Sequence, residues 1–242
     1  MGLNLTNYYS INFTIPKRNK NLIKFIIIHY TGMKKESEAI KRLCDSKSQV
    51  SSHYFIKDNG EILNLVPDLY EAWHAGKSSW KNFKSINKNS IGIEINNPGH
   101  YHVYKEFHSK QIISLIKLLK FLKKKYNIKT QNILGHSDIA PLRKKDPGEK
   151  FPWKKLAKKN LCKFHSLNEK KIKIYRNLKL ESFEIKELLV NLNKIGYSDI
   201  KKSHTNKQRE LIIKAFQRRY RQDLINGKPD KECLLISKNL AK

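Results

Sequence analysis

Two continuous apolar runs in the first 160 residues each lead directly to a histidine. Residues 25–28 are one phenylalanine and three isoleucines and precede His29, and residues 133–135 are isoleucine, leucine and glycine and precede His136. Uninterrupted apolar runs of this kind are typical of strands buried on both faces of a sheet. The sequence therefore predicts two central strands, each with a histidine where the chain leaves the sheet.

Alternating patterns predict three further strands. Residues 90–96 alternate apolar residues with small or polar ones, which puts Glu94 on the face opposite its apolar neighbours. Residues 51–55 and 61–66 are two more strand-like segments, and Asn59-Gly60 lies between them. Because an Asn-Gly pair favours the tight turn of a hairpin, these two segments are expected to pair with each other.

Helical spacing of apolar residues marks two segments among these strands. Residues 36–45 carry four apolar side chains at this spacing, and residues 109–126 carry a broad apolar stripe with lysines elsewhere. The stripe of the longer helix is expected to pack on the sheet. Strands alternating with helices predict an α/β fold in which helices flank a central mixed β-sheet.

The pattern changes in the last quarter of the chain, where only helical spacing remains. From residue 182 onward the sequence predicts three helices, and residues 205–208 (TNKQ) form a capping box at the start of the second. A small all-α three-helix domain is therefore expected to follow the α/β region. The predicted division is residues 1–165, a linker at 166–177, and residues 178–242.

Composition adds a strong positive charge to this picture. The 242 residues include 50 Lys and Arg against 21 Asp and Glu, a formal net charge of +29. Such a charge suggests a polyanionic partner, but the cations are spread along the chain and abundant Lys, Asn and Ile are also what an A/T-rich genome produces. Nothing resembles a zinc finger, an RNP motif or a basic zipper, so no specific nucleic acid is expected.

The cysteines and the N-terminus bear on location. The three cysteines are far apart and show no CxxC spacing, so neither a disulfide framework nor a thiolate zinc cluster is expected. The N-terminus has no basic head followed by an apolar core, and no apolar run is long enough to span a bilayer. These features predict a cytoplasmic protein without a transmembrane segment.

The two strand-end histidines are candidate metal ligands. A zinc hydrolase needs nitrogen or oxygen ligands on rigid elements and one open coordination position. His29, His136 and Asp146 in the following loop could supply such a set. The alternative is that the histidines are ordinary core residues, and spacing alone cannot select among nine histidines.

Five motifs in order resemble those of a known enzyme family: IIIHYTG, VSSHYFI, AWHAG, SIGIEINN and GHSDIAPLRKKDPG. Over residues 20–160 the chain is similar to the zinc-dependent N-acetylmuramoyl-L-alanine amidases of the type-2 amidase family, which are related in fold to peptidoglycan-recognition proteins. The helical tail, with YRNL and AFQRRYR, resembles the small peptidoglycan-binding domain of the AmiD-type branch.

This resemblance implies one Zn²⁺ per chain, with three ligands: His29, His136 and Asp146. It also implies that Glu94 is the catalytic glutamate and Lys144 the catalytic lysine. Lys145 is adjacent, and a shift of one residue in the alignment exchanges the roles of the two lysines.

The resemblance also suggests substrate contacts at His53, Trp73, His74 and Asn87. His53 could instead support the sheet, and Trp73 and His74 could simply be packed. Relatives often carry an Arg-x-Asn-Asp stretch near Asn87, but this chain has SINK there, so an arginine contact to a stem-peptide carboxylate is in doubt and Lys84 is a possible substitute.

Other polar residues are expected to be structural. Asp138 is expected to cap or to support the site from outside the ligand set, and Arg143 to be structural. Five further histidines in irregular polar surroundings are expected at the surface: His100, His102, His108, His165 and His204.

The implied activity is hydrolysis of the amide bond between N-acetylmuramic acid and L-alanine in peptidoglycan or anhydromuropeptides, for wall turnover or recycling. The alternative is a non-catalytic peptidoglycan-recognition protein, against which the complete set of ligands and catalytic residues argues. The substrate and the family favour the periplasm or secretion, whereas the N-terminus and the unpaired cysteines predict the cytoplasm.

Overall fold

A computed structural model describes residues 5–197 and 205–242 of the protein. The strands are β1 (Thr6–Asn7), β2 (Phe13–Thr14), β3 (Phe25–Tyr30), β4 (Tyr54–Ile56), β5 (Ile62–Asn64), β6 (Glu71–Ala72), β7 (Ser79–Trp80), β8 (Phe83–Lys84), β9 (Ser90–Ile95) and β10 (Ile133–Gly135). The main sheet has six strands in the order β1-β5-β4-β9-β3-β10, and two small two-stranded sheets pair β2 with β6 and β7 with β8.

Helices follow the predicted strand-helix alternation and then dominate the C-terminal region. The α-helices of the described ranges are α1 (Glu36–Cys44), α2 (Ser109–Lys125), α3 (His136–Ile139), α4 (Trp153–Ala157), α5 (Glu169–Ile172), α6 (Ser182–Ile195), α7 (Asn206–Tyr220) and α8 (Lys231–Leu240). The three long C-terminal helices predicted from the pattern are thus present.

Strand β3 lies between β9 and β10 in the main sheet. It pairs in parallel with β9 on one side and with β10 on the other, and all six of its residues are buried. β9 also pairs in parallel with β4, which forms the predicted antiparallel hairpin with β5. The sheet is therefore mixed, as expected, and its parallel strands bring their carboxyl ends to one edge.

The two faces of the sheet are covered by different parts of the chain. Ile26 and Ile28 of β3 belong to a buried cluster with the apolar stripe of α2. Phe25 and Ile27, which alternate with them, belong to a second cluster that includes buried residues of α6, α7 and α8. The C-terminal helices thus share their apolar core with the sheet, although the predicted division at residues 166–177 itself stays a prediction.

The end of α6 is fitted closely to the β7–β8 hairpin. Gly196 has a φ of 144°, and a side chain built there would collide with the indole of Trp80. Lys81 N–H donates to Gly196 O at 2.9 Å, and Tyr197 packs edge-on against Trp80. A glycine at this position therefore allows the C-terminal region to approach the hairpin.

Sequence patterns and structure differ mainly in short elements. The two-residue strands were not predicted, because a two-residue segment is too short to show a period. His29 is the penultimate residue of β3 rather than its last, and His136 begins α3 instead of ending β10. Within the described ranges no helix combines the length and apolar character needed to cross a bilayer.

Candidate metal centre and cleft

Three buried donor atoms converge at the carboxyl edge of β3 and β10. His29 lies near the end of β3, His136 begins α3 directly after β10, and Asp146 follows ten residues later. The Nδ1 atoms of the two histidines are 2.9 Å apart, and each is 3.0 Å from Asp146 Oδ2. The ligand set predicted from the resemblance is therefore brought together within one site.

Hydrogen bonds behind His29 fix which of its ring nitrogens carries a proton. Ser90 Oγ donates to Ile86 O at 2.7 Å and so accepts from His74 Nε2, which is 3.1 Å away. His74 Nδ1 then accepts from His29 Nε2 at 3.0 Å. In this arrangement His29 keeps an unprotonated Nδ1, whose lone pair faces the site.

His136 has the same tautomer for a simpler reason. Its Nε2 is 3.1 Å from Ala75 O, which can only accept, so Nε2 donates, and in the neutral ring Nδ1 keeps the lone pair. Two imidazole lone pairs and a carboxylate oxygen therefore face one another. A single shared proton cannot bridge all three contacts at once, whereas one small cation can, and such outer hydrogen bonds are typical of metal-binding histidines.

The electrostatic surroundings of His29 and Asp146 favour the deprotonated forms that bind metals. Burial and the neighbouring His136 lower the pKa of His29 to about 4. Burial acts to raise the pKa of Asp146, but the adjacent His136 and His29 outweigh it and hold that pKa well below its usual range. Since metal ligands must be deprotonated, the site is prepared for a divalent cation.

Glu94 lies beside this group on the neighbouring strand. It is the register partner of His29 in the parallel β3–β9 pair, so the two side chains project from the same face of the sheet. Its Oε2 is buried and has no hydrogen-bond partner among the described residues. Burial, and then the charge of Asp146, raise the pKa of Glu94 to about 8. Such a carboxyl is suited to taking up and returning a proton.

A cleft of about 400 Å³ opens beside this group, and two of the three predicted ligands, His136 and Asp146, line it. Glu94 lies in its lining, together with four cationic residues: Arg42, Arg143, Lys144 and Lys145. The charge of Lys144 is felt at both Glu94 and His29, where it lowers the pKa. Both adjacent lysines line the cleft, and this effect on Glu94 and His29 favours Lys144, whose catalytic role stays a prediction.

Trp73 is the predicted substrate residue whose position fits that role best. Its side chain lines the cleft, and its indole Nε1 donates to Thr14 Oγ1 at 2.9 Å. The neighbouring His74 also borders the cleft but is buried, with both ring nitrogens engaged by His29 and Ser90. A supporting role behind His29 therefore describes the position of His74 better than a substrate contact.

His53 and Asn87 are not among the residues that line the cleft. His53 is fully buried, accepts from Gly92 N–H at 2.9 Å and is 3.0 Å from Tyr70 O. Asn87 Oδ1 accepts from the backbone N–H groups of His74 and Ala75 at 3.2 and 2.7 Å. The supporting alternative for His53 is favoured, and Asn87 holds the backbone that presents His74.

Gly92 explains how His74 reaches its place. A Cβ at this position of β9 would collide with the His74 ring, with the nearest atom being Cγ. The small residue in the SIGIEINN motif therefore creates the space through which His74 contacts His29 from behind.

Several residues at the site were not predicted from the sequence. Arg42 of α1 and Tyr101, which is 82% exposed, line the cleft, whereas Lys84 lies exposed on β8 and is not among the lining residues. Arg42 carried no signal, because an arginine on the polar face of a helix reads as solvated. Tyr101 lies in a segment without period, which gives no information about what it faces.

The expected surface histidines are a mixed group. His102 and His108 are exposed, but His165 is buried, and His100 is hydrogen-bonded to Tyr30 Oη at 2.8 Å and to Glu149 Oε2 at 3.0 Å. The surface prediction was therefore wrong for His165, because its irregular polar surroundings gave no hint of the helices that cover it. His204 lies outside the described residues.

Arg143 has the structural role expected for it, donating to the carbonyl oxygens of Ala75 and Lys77. Its guanidinium thus ties the loop before Lys144 to the AWHAG segment and the residue after it. Because Ala75 O also accepts from His136, Arg143 helps to fix the acceptor that sets the tautomer of this ligand.

Comparisons with known proteins agree with this geometry. Residues 18–149 match the Amidase_2 family, described as N-acetylmuramoyl-L-alanine amidase. The N-acetylmuramoyl-L-alanine amidase AmiD of Escherichia coli is 36% identical over 230 residues, covering 90% of this chain and 82% of that protein. A putative N-acetylmuramoyl-L-alanine amidase of Rickettsia conorii is 28% identical over 236 residues, covering 94% and 86%.

Solved structures extend the likeness to the whole fold. The complex of E. coli AmiD with the substrate anhydro-N-acetylmuramic acid-L-Ala-D-γ-Glu-L-Lys superposes with a TM-score of 0.79 at 36% identity, covering 90% of this chain and 88% of that one. AMPDH3 from Pseudomonas aeruginosa in complex with anhydromuramic pentapeptide gives a TM-score of 0.78 at 27% identity, covering 93% of each chain. Coverage of 93% of this chain extends the likeness well beyond the residues 18–149 that match the family.

We expect His74→Ala to weaken metal binding by about 10- to 100-fold, the usual effect of removing a partner that orients a histidine ligand. Without the His74 acceptor, His29 loses the bond that fixes its tautomer. Competition with a chromophoric chelator for zinc would measure the affinity, and His102→Ala, which removes an exposed histidine, is the matched control. Wild-type affinity in the His74 variant would contradict this role.

Proposed function

Because the chain belongs to the family of N-acetylmuramoyl-L-alanine amidases, we propose that it hydrolyses the amide bond between N-acetylmuramic acid and L-alanine with one zinc ion per chain. The substrate class is peptidoglycan or anhydromuropeptides. The observation that carries this proposal is the convergence of three buried donor atoms beside Glu94, whose Oε2 is buried and has no hydrogen-bond partner among the described residues.

Zinc is the metal that this ligand set suits. Two imidazole nitrogens and one carboxylate oxygen are a typical catalytic zinc set, which leaves a coordination position for water or substrate. When bound there, zinc supplies Lewis-acid chemistry: it lowers the pKa of a water molecule and polarises the scissile carbonyl. His29, His136 and Asp146 would hold the ion, and the outer hydrogen bonds of the two histidines orient their rings for it.

Glu94 is the group that moves the proton. Its carboxylate takes a proton from the attacking water and, as the neutral acid, donates it to the nitrogen of the departing L-alanine. Its buried and unpartnered Oε2 supports this role, because no other group of the described chain competes for the proton. Its raised pKa of about 8 makes the protonated form accessible near neutral pH.

Lys144 is proposed to stabilise the oxyanion that develops on the scissile carbonyl. It lines the cleft, and its charge acts on both Glu94 and His29. Both observations support a position near the amide that reacts. A positioned cationic donor of this kind contributes about 3 kcal/mol to the transition state in other hydrolases.

The cationic lining supports an acidic ligand. Arg42, Arg143 and Lys145 add to the charge of Lys144 at the cleft, while Trp73 and Tyr101 offer aromatic faces. The muropeptide named in the AmiD complex contains a γ-linked D-glutamate, which carries a free carboxylate. A stem peptide of this type fits the charge of the cleft, and Arg42 is a candidate to replace the arginine that is missing before Asn87.

A non-catalytic peptidoglycan-recognition protein is disfavoured by the same residues. Such a protein needs the groove but not the ligands or the acid–base residue. This chain retains all three donor atoms in one place, with Glu94 and Lys144 beside them.

Purified anhydromuramyl tripeptide is the substrate with which to test the function. We expect release of the free peptide, detected by mass spectrometry, to stop when a chelator removes the metal and to resume when zinc is added back. If the metal-loaded protein binds the tripeptide without cleaving it, and leaves cell-wall sacculi intact as well, the recognition alternative would be correct.

Glu94→Gln separates proton transfer from metal binding. This variant should keep its zinc and lose about 10²- to 10⁴-fold in kcat, the range associated with a general acid–base group. His29→Ala is the comparison, since it should lose zinc and activity together. Zinc content by elemental analysis and kcat would be measured on the same samples, and near-wild-type turnover of Glu94→Gln would remove this residue from the mechanism.

Lys144 and Lys145 form a natural matched pair. Lys144→Ala should lower kcat by about 10²- to 10³-fold with little change in zinc content, because an oxyanion donor is lost. Lys145→Ala removes the same charge one residue away and should change kcat only a few-fold. The reverse ranking in steady-state kinetics would assign the catalytic role to Lys145.

A further inference from the structure

Asp138 lies directly beneath the turn that presents the ligand His136. Its side chain is almost completely buried, and its Oδ2 accepts from the backbone N–H of Gly135 at 2.8 Å. The other oxygen, Oδ1, accepts from Tyr197 Oη at 2.9 Å. This carboxylate therefore caps α3 at the residue before the ligand, and one of its partners comes from the end of α6.

Arg219 of α7 reaches the same carboxylate from the C-terminal region. It is 2% exposed, its Nη1 donates to Asp138 Oδ2, and its Nη2 donates to Ile133 O at 3.1 Å. The guanidinium also lies over the ring of Trp153, 4.0 Å from its centre. One side chain thus holds the start of β10 and the turn that follows it.

A second residue near the end of α7 holds the segment that follows Asp146, another of the proposed ligands. Gln222 Nε2 donates to Glu149 O at 2.6 Å and to Phe151 O at 2.7 Å, in the segment just after Asp146. The segments that carry His136 and Asp146 are also bonded to each other, since Ser137 N–H donates to Asp146 O at 2.9 Å. Two of the three metal ligands are therefore presented by backbone that the C-terminal region holds in place.

We propose that Arg219 is a positioning residue for the metal centre: through Asp138 it fixes the turn that carries His136, so that the C-terminal helices determine how tightly the site binds its metal. The inference rests on the proposed function, because it concerns the same ligands. It assigns the C-terminal region a role inside the enzyme, in addition to any contact with the cell wall.

A purely structural role explains this arrangement less well. Replacing a buried ion pair by apolar side chains of similar volume is often neutral or stabilising, so burial of Arg219 and Asp138 is not needed for packing alone. The pair also lies where its directed hydrogen bonds act on the backbone at Gly135 and Ile133. Directed bonds of this kind hold a ligand in place more closely than apolar contact does.

The same region offers a matched control in Arg221. This residue is 3% exposed and pairs with Asp230 and Glu232, so it is also a buried arginine in an ion pair. Within the described chain, its guanidinium bonds to residues between 224 and 232: Leu224, Asn226, Asp230 and Glu232. Loss of either guanidinium should disturb packing, but only one of the two losses should reach the metal.

The test compares Arg219→Lys with Arg221→Lys in the full chain. We expect Arg219→Lys to weaken zinc binding by about tenfold or more, as measured by chelator competition at a temperature where both variants are folded. The visible absorption spectrum of the cobalt-substituted protein should also change, because it reports ligand geometry. Arg221→Lys should lower the denaturation midpoint while leaving both metal measurements at wild-type values.

Tyr197→Phe keeps the ring and removes only the hydroxyl that donates to Asp138. It provides a second variant in case Arg219→Lys does not fold, and should weaken zinc binding by about threefold, as expected for one hydrogen bond. Wild-type affinity and cobalt spectrum in folded Arg219→Lys would overturn the proposal, as would an equal loss in Arg221→Lys. So would wild-type affinity in Tyr197→Phe if Arg219→Lys does not fold.

These measurements are independent of turnover, which keeps the two proposals distinguishable. A wild-type protein that binds zinc but cleaves neither muropeptide nor sacculi would refute the proposed function and leave the affinity comparison valid. A wild-type protein that binds no zinc would overturn both.

Discussion

The parallel pairing of β3 with β9 and β10 is the constraint on which the site depends. Its register places His29 beside Glu94 on one side, and on the other it brings the end of β10 to the same sheet edge, where His136 begins α3. A shift of one residue in β9 would turn Glu94 to the opposite face, because side chains alternate along a strand. Backbone hydrogen bonds thus align the proposed metal ligand His29 with the proposed proton-transfer group Glu94 before any side-chain contact is considered.

The ligand atoms repel one another unless a cation or proton lies between them, so the surrounding protein has to hold them together. It does so by accepting the outward protons: His74 and Ser90 form a chain behind His29, and Ala75 O accepts from His136. Burial then lowers the pKa of His29 and so disfavours its protonation. The same burial that prepares these ligands also raises the pKa of Glu94, so one feature serves two different chemical roles.

Sequence patterns predicted the central strands, the hairpin and the longer helices, because each spans enough residues to show a period. They indicated His29 and His136 only as strand-end histidines, and the resemblance was needed to select them among nine. The position of His74 could not be foreseen, because it depends on space left by Gly92 on another strand. Arg219 was hidden for a similar reason: the run AFQRRYR reads as a helix with a polar face, and its burial depends on contacts with residues 133–163.

Burial of β3 on both faces ties the C-terminal helices to the enzyme core. α2 covers one face of the sheet, and the other carries Phe25, Ile27 and Leu134, which share a buried cluster with residues of α6, α7 and α8. A chain that has to cover this face places helices next to β10, and hence beneath the turn that leads to His136. A buried cation from those helices can then act on the metal site without approaching the cleft. The arrangement explains how a region expected to be an appended domain comes to support the metal centre.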